Sequence, residues 1–157
     1  MNYSFIIRKA TPEDAPAIES IQQESFKKYM EDTGLSGTMD ALEESWEDIT
    51  VAINNSEVYV AFIDDIAVGT IRVNINNDLT AYISRFGVRL QYHNIGIGKA
   101  LLNLVEKMLR AQEVSSVNLH TASKYTDLVK FYYGRGFYVK SISEDRGYLR
   151  ACMQKDF

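Results

Sequence analysis

The period of apolar and polar positions changes several times along this chain, and each change marks an element. Phe5-Ile6-Ile7-Arg8-Lys9-Ala10 reads as a first strand. Thr11-Pro12-Glu13-Asp14 then opens a helix, because Thr11 can cap it, Pro12 suits the first helical position and acids favour the first turn. Ile18, Ile21, Phe26 and Tyr29 share one face of that helix, and the glycines of Glu31-Asp32-Thr33-Gly34-Leu35-Ser36-Gly37 break it into a loop. A second helical period runs from about Thr38, with Met39, Leu42, Trp46, Ile49 and Ile53 as its stripe. After Asn54-Asn55-Ser56 the pattern becomes that of strands. Glu57 to Ile63 and Ile66 to Ile75 flank Asp64-Asp65, a two-residue hairpin turn, and Asn76-Asn77-Asp78 turns the chain into a third strand from Leu79 to Val88.

A glycine-bearing loop follows, then a helix carrying Leu101, Leu104, Val105 and Met108 at helical spacing and ending near Gln112. Val117 to Thr121 is a strand, Lys124 to Gly134 a helix, and Phe137 to Ile142 with Tyr148 to Met153 a closing hairpin around Ser143-Glu144-Asp145-Arg146-Gly147. The order β-α-α-β-β-β-α-β-α-β-β predicts an α/β fold, a mixed and mostly antiparallel sheet of about seven strands flanked by about four helices. The crossover helix between the strand ending at Val88 and the one starting near Val117 implies one parallel pair. No repeat or linker interrupts the order, so residues 1–157 are expected to form a single domain, and one of this length buries roughly 70% of the surface its unfolded chain exposes.

Composition narrows the function. Hydrophobic residues are 46% and charged ones 24%, an ordinary globular balance. A net charge of −4 leaves no basic surplus for a phosphate backbone, which argues against nucleic acid as partner. The single cysteine, Cys152, excludes an internal disulfide and reads as a small buried hydrophobe rather than an acyl-carrying nucleophile. No apolar run is long enough for a membrane span, and the N-terminus lacks a signal-peptide pattern, so a cytoplasmic protein is expected. Two scattered histidines and one cysteine make no metal site, and His120 reads as a structural strand residue.

The candidate chemistry lies in Gln91-Tyr92-His93-Asn94-Ile95-Gly96-Ile97-Gly98-Lys99-Ala100-Leu101-Leu102, where a strand stops and a helix starts. Free backbone N–H groups at a helix N-terminus attract an anion, and glycines let it approach. The dinucleotide fingerprint needs a third glycine where Leu101 stands, and the nucleotide-triphosphate loop needs glycine at His93 and Ser or Thr at Ala100. The stretch instead resembles the acyl-CoA pyrophosphate loop of the GNAT superfamily of N-acetyltransferases, with His93 in place of the usual Gln or Arg. Phe131-Tyr132-Tyr133-Gly134-Arg135-Gly136-Phe137 resembles that family's penultimate helix and its exit, and Val88-Arg89-Leu90-Gln91-Tyr92-His93 its strand end, with Leu90 for the usual Pro.

That resemblance implies acetyl-CoA as co-substrate, no metal, and acetyl transfer to a primary amine by direct attack in a ternary complex. It implies that the two parallel strands splay around the pantetheine arm. Phe86, Gly87, Val88, His93, Asn94, Ile95, Gly96, Ile97, Gly98, Lys99, Tyr125 and Tyr132 would contact the cofactor. The Val88 N–H would hold the thioester oxyanion and Tyr132 would protonate the departing thiolate; by spacing alone Tyr132 reads rather as a core aromatic, and Lys99 rather as a solvated helix residue. Tyr125 takes a position where the family often has Asn. The strand Tyr82 to Val88 carries no carboxylate to act as base. Glu31, Asp32, Glu144 and Asp145, in the two loops that set acceptor specificity in the family, suit a small cationic amine. A protein N-terminus or lysine as acceptor, a non-catalytic CoA-binding module, and either a monomer or a homodimer all stay compatible with the sequence.

Overall fold

The computed structural model describes residues 4–157, and its strands form one seven-stranded sheet. In chain order these are β1 (Phe5–Lys9), β2 (Glu57–Ile63), β3 (Ile66–Ile75), β4 (Thr80–Val88), β5 (Ser116–Ala122), β6 (Tyr138–Ser143) and β7 (Arg150–Asp156), arranged β1-β2-β3-β4-β5-β7-β6. Among the described residues only β4 and β5 run parallel. The expected hairpin turn forms because Asp64 and Asp65 both take left-handed backbone, φ 47° and 67°, which matches the twist of the strands they join.

Helices cover both faces. On one face α4 (Ile97–Ala111) lays Leu101, Leu102, Val105 and Leu109 against Ile71 and Val73 of β3, Ile83 of β4, Val117 and Leu119 of β5 and Met153 of β7, and α5 (Thr126–Gly134) adds Tyr132. Each of those α4 side chains is at most 2% exposed, so each contributes roughly 1.5–3 kcal/mol. On the other face α1 (Ala15–Thr33) and α3 (Trp46–Asn55) bury Ala15, Ile18, Ile21 and Ile49 against Val58 and Val60 of β2 and Ala67 of β3. Gly87 permits the approach of α1 to β4, since a Cβ there would stand 2.5 Å from the Ser25 hydroxyl oxygen.

The second helical period is two helices, not one. A single turn, α2 (Asp40–Glu43), is followed by an extended Glu44, and Ser45 then caps α3 with its hydroxyl on the Asp48 N–H at 3.3 Å, while the Ser45 N–H donates to the Asp48 carboxylate at 3.0 Å. The break carries Trp46 off the expected stripe, and it is 49% exposed. The described residues therefore form five α-helices. Glu31 and Asp32 lie in the last turn of α1 rather than in a loop, because Gly34, left-handed at φ 71°, ends the helix later than expected. The closing hairpin's second strand starts at Arg150 rather than Tyr148.

The parallel pair positions the site. Its register is Thr80 to Ser116, Ala81 to Val117 and Tyr82 to Asn118, and it stops there, although β4 continues to Val88 and β5 to Ala122. A bulge lies just past this fork: the β3 to β4 register shifts between Thr70 and Arg72, and Arg85 takes φ 50°.

Candidate active site

The loop entering α4 presents a row of unclaimed backbone amides. The N–H groups of Asn94, Ile95, Gly96, Ile97, Gly98 and Lys99 have no protein acceptor among the described residues; the first hydrogen bond of the helix runs from Ala100 to the Gly96 carbonyl at 3.0 Å. Asn94 and Gly96 are left-handed at φ 63° and 91°, so the backbone alternates and gathers successive N–H groups into a concave nest. A Cβ at Gly96 would have no protein atom within 4 Å. These features fit a diphosphate. Ile97 contributes only its backbone, its side chain being 3% exposed in the core, and Lys99 is exposed on the helix.

His93 departs from its expected role. Its N–H donates to the Leu90 carbonyl at 3.2 Å, so the free amides begin at Asn94 rather than His93. Its ring Nε2 lies 2.8 Å from the Val88 carbonyl oxygen and donates to it. The imidazole thus ties the loop back to the end of β4. At that end Arg89 donates its N–H to Val68 on β3, and alternation along the strand turns the Val88 N–H and carbonyl the opposite way, into the opening beyond the fork.

Tyr132 lies on α5 beside this opening, 7% exposed, with its ring 6.5 Å from that of Phe86, 5.3 Å from Phe131 and 5.7 Å from Phe137. Burial raises its pKa, so the phenol stays protonated, and its hydroxyl hydrogen-bonds to no protein group among the described residues. Tyr133 of the same helix is 54% exposed. Tyr29 reaches the opening from α1: its hydroxyl accepts the Ala122 N–H at 2.7 Å, occupying a β5 donor that β4 no longer takes, and burial pushes its pKa up to about 12.

The acceptor-side residues divide. Tyr125 stacks on Tyr29 with ring centres 5.9 Å apart and donates its hydroxyl to Asp32 at 2.8 Å. Asp32, Tyr125, Glu144 and Tyr148 line one cavity of about 390 Å³ between the end of α1, the turn before α5 and the loop from β6 to β7. Glu31 and Asp145 do not line it; Asp145 accepts from the Ser143 hydroxyl at 3.0 Å and lies 3.7 Å from Arg150. Lys28, 2.9 Å from Asp32, holds that carboxylate below its usual range together with Tyr125.

Two groupings escape the sequence pattern. Glu44 receives both guanidinium nitrogens of Arg72 at 2.9 Å and is also bonded by Arg85 at 3.2 and 3.3 Å and by Gln22 at 3.1 Å; burial opposes its charge, but the two arginines prevail and bring its pKa down to about 2. On the same face the Tyr82 hydroxyl lies 2.7 Å from His120 Nδ1, joining β4 to β5 at the fork. Alternation was the only available signal: Ala81, Ile83, Val117 and Leu119 point inward, so Tyr82 and His120 point outward on what prove to be neighbouring strands.

A parallel pair opening beside a helix start with unclaimed amides, and a buried phenol next to the opening, define an acyltransferase architecture. Residues 16–137 match the profile of the acetyltransferase (GNAT) family, most of the chain, and the protein belongs to that family and is an acetyltransferase. In fold it is similar to the PaiA N-acetyltransferase of Thermoplasma acidophilum in complex with coenzyme A, at 24% identity and TM-score 0.83 over 98% of this chain and 99% of that one. It is similar also to Ard1 of Thermoplasma volcanium, at 20% identity and TM-score 0.79 over 97% of each chain. A third similar fold is the ribosomal-protein-S18-alanine N-acetyltransferase of Escherichia coli, at 16% identity and TM-score 0.78 over 98% and 94%. No curated protein matches the sequence. No helix among the described residues is long and apolar enough to cross a membrane.

Proposed function

We propose that this chain moves the acetyl group of acetyl-CoA to the primary amine of a small cationic acceptor, by direct attack in a ternary complex. The observation that carries the reading is the row of unclaimed amides from Asn94 to Lys99, set where β4 and β5 part. A diphosphate held there leaves its acyl arm to run along Phe86, Gly87 and Val88 toward Tyr132. The Val88 N–H stabilises the oxyanion, and a comparable donor is worth about 2.7–4 kcal/mol of barrier. Tyr132 supplies the proton to the leaving thiolate; burial keeps the phenol protonated until then, and no protein acceptor among the described residues competes for its proton.

The acceptor reading rests on the cavity lined by Asp32, Glu144, Tyr125 and Tyr148 together with Lys124; Glu144 and the two aromatic rings suit an ammonium group, with Asp32, paired to Lys28, beside them. Tyr125 acts there through Asp32, rather than on the cofactor. Thiol release with acetyl-CoA and a panel of diamines, polyamines and neutral amines tests both parts. Release with cationic amines supports the reading; release equal across the panel, or unchanged after Asp32→Asn with Glu144→Gln, removes the cationic acceptor. Absence of release with every amine, alongside calorimetric binding of coenzyme A, would leave a binding module.

A further inference from the structure

The transfer needs a base, because an alkylamine at neutral pH is an ammonium ion and has no lone pair to attack with. β4 offers no carboxylate, and Glu44, which reaches its face from between α2 and α3, cannot serve. Both its oxygens are taken by Arg72 and Arg85, and with a pKa of about 2 its affinity for a proton is too low. Glu24, at the far end of β4, already accepts the Leu90 N–H at 2.6 Å. Asp32 is occupied by Lys28 and Tyr125.

We propose that His120, oriented by Tyr82, is the base that takes the proton from the acceptor amine. This rests on the acetyltransferase reading above and adds a residue to it. Three features carry it. The pair stands at the fork: Tyr82 belongs to the last paired rung of β4 and β5, and His120 lies two residues further on, where the strands have begun to part. It faces away from α4 and α5, so the base and the Tyr132 acid approach the opening from opposite faces of the sheet, as a base for the incoming group and an acid for the leaving group should. Finally, the Tyr82 oxygen lies 2.7 Å from Nδ1; in the tautomer whose Nδ1–H donates to it, Nε2 keeps its lone pair, and no protein group among the described residues claims Nε2.

The surrounding charge keeps the ring neutral. The groups facing the pair are Arg85 from β4, Cys152 and Arg150 from β7, and Asp145 and Arg146 from the loop before β7. Burial first and then Arg150 lower the imidazole pKa from 6.5; Asp145 opposes them and Arg146 adds a smaller lowering, so the basic form is populated at neutral pH. The ammonium gives one proton to Nε2, and the freed lone pair bonds to the thioester carbonyl carbon. The C–S bond breaks, and the thiolate takes the Tyr132 proton. The surplus proton on the new amide nitrogen restores Tyr132 through solvent, and the imidazolium discharges to solvent, releasing one proton per turnover.

His120→Gln and Tyr82→Phe test this, measured as kcat against pH with a strongly basic amine and with a weakly basic one already neutral at pH 7. Calorimetric affinity for coenzyme A and melting temperature serve as controls for folding. His120→Gln is expected to lower kcat about 100-fold or more on the basic amine at pH 7 and to regain most of it by pH 10, while losing less than fivefold on the weakly basic amine. Tyr82→Phe is expected to lower kcat about tenfold on the basic amine alone. A merely structural role would move both amines equally. An equal loss on both, or kcat within threefold of the parent on the basic amine, overturns the assignment. A parent enzyme that releases thiol with no amine overturns the transferase reading and this assignment together.

Discussion

At the scale of single residues, the site depends on what a few side chains do not touch. The Tyr132 hydroxyl bonds to no protein group among the described residues, so removing it orphans nothing and leaves the ring packed against Phe86, Phe131 and Phe137. Tyr132→Phe is expected to lower kcat by about 10- to 100-fold, the lower range for proton transfer because a thiolate leaves readily. Coenzyme A affinity should stay within about twofold and the melting temperature unchanged. Equal turnover would end the acid role. Gly96 makes the complementary case. Valine there would meet no protein atom, but φ 91° is strained for a β-branched residue by roughly 1–3 kcal/mol. The expected outcome is a lower melting temperature with coenzyme A affinity reduced at least tenfold, because the side chain would stand in the nest. His93 shows where sequence falls short: position placed it in the loop, but only the folded chain reveals that the imidazole is spent on the Val88 carbonyl.

At the scale of elements, Glu44 joins three of them. It lies between α2 and α3, accepts from Arg72 of β3 and Arg85 at the β4 bulge, and accepts from Gln22 of α1. Glu44→Gln leaves two guanidinium groups short of their partner and is expected to cost about 3 kcal/mol by chemical denaturation. The pH dependence follows from the lowered pKa. The folded state binds a proton at Glu44 less readily than the unfolded chain, whose value is near 4.5, so the stabilisation is complete above that pH and is lost as pH falls toward about 2. Glu44→Gln should therefore flatten the acid limb of the stability curve; an unchanged limb would show that other carboxylates set it. This junction was also the place where the helical stripe misled. Met39, Leu42, Trp46, Ile49 and Ile53 keep helical spacing straight through Glu44 and Ser45, yet Ser45 and Asp48 carry the reciprocal cap that starts a new helix. Where apolar period and capping chemistry disagreed, capping decided, because Glu44 must leave the helix to reach its arginines. The closing hairpin, the meander and the crossover helix were legible because in each the period and the turn residues agree.

At the scale of the molecule, two parts of the sheet meet along one short seam. The segment from β1 to β4 and the segment formed by β5, β7 and β6 share as ladder rungs only those from Thr80 to Tyr82 of β4 with Ser116 to Asn118 of β5; beyond them the Tyr82–His120 bond, Tyr29 and the packing of α4 and α5 span the gap. The element order implied this parallel pair, but not how early it ends, since strand length read from one chain says nothing of where its neighbour diverges. A ligand seated in the opening would bridge both segments, so its binding energy should appear as cooperativity between them. At a coenzyme A concentration of 100 times Kd, linkage gives about 2.7 kcal/mol, which for a chain of this size raises the melting temperature by roughly 5–10 °C. Amide hydrogen exchange locates the effect: protection is expected to increase at Val88, from Asn94 to Lys99, and along β5 from Leu119 to Ala122, with β1 and β2 changing no more than global stability requires. Protection confined to the loop, with β5 unaffected, would mean that the diphosphate binds while the acyl arm lies outside the opening, and neither Tyr132 nor His120 could then reach the thioester.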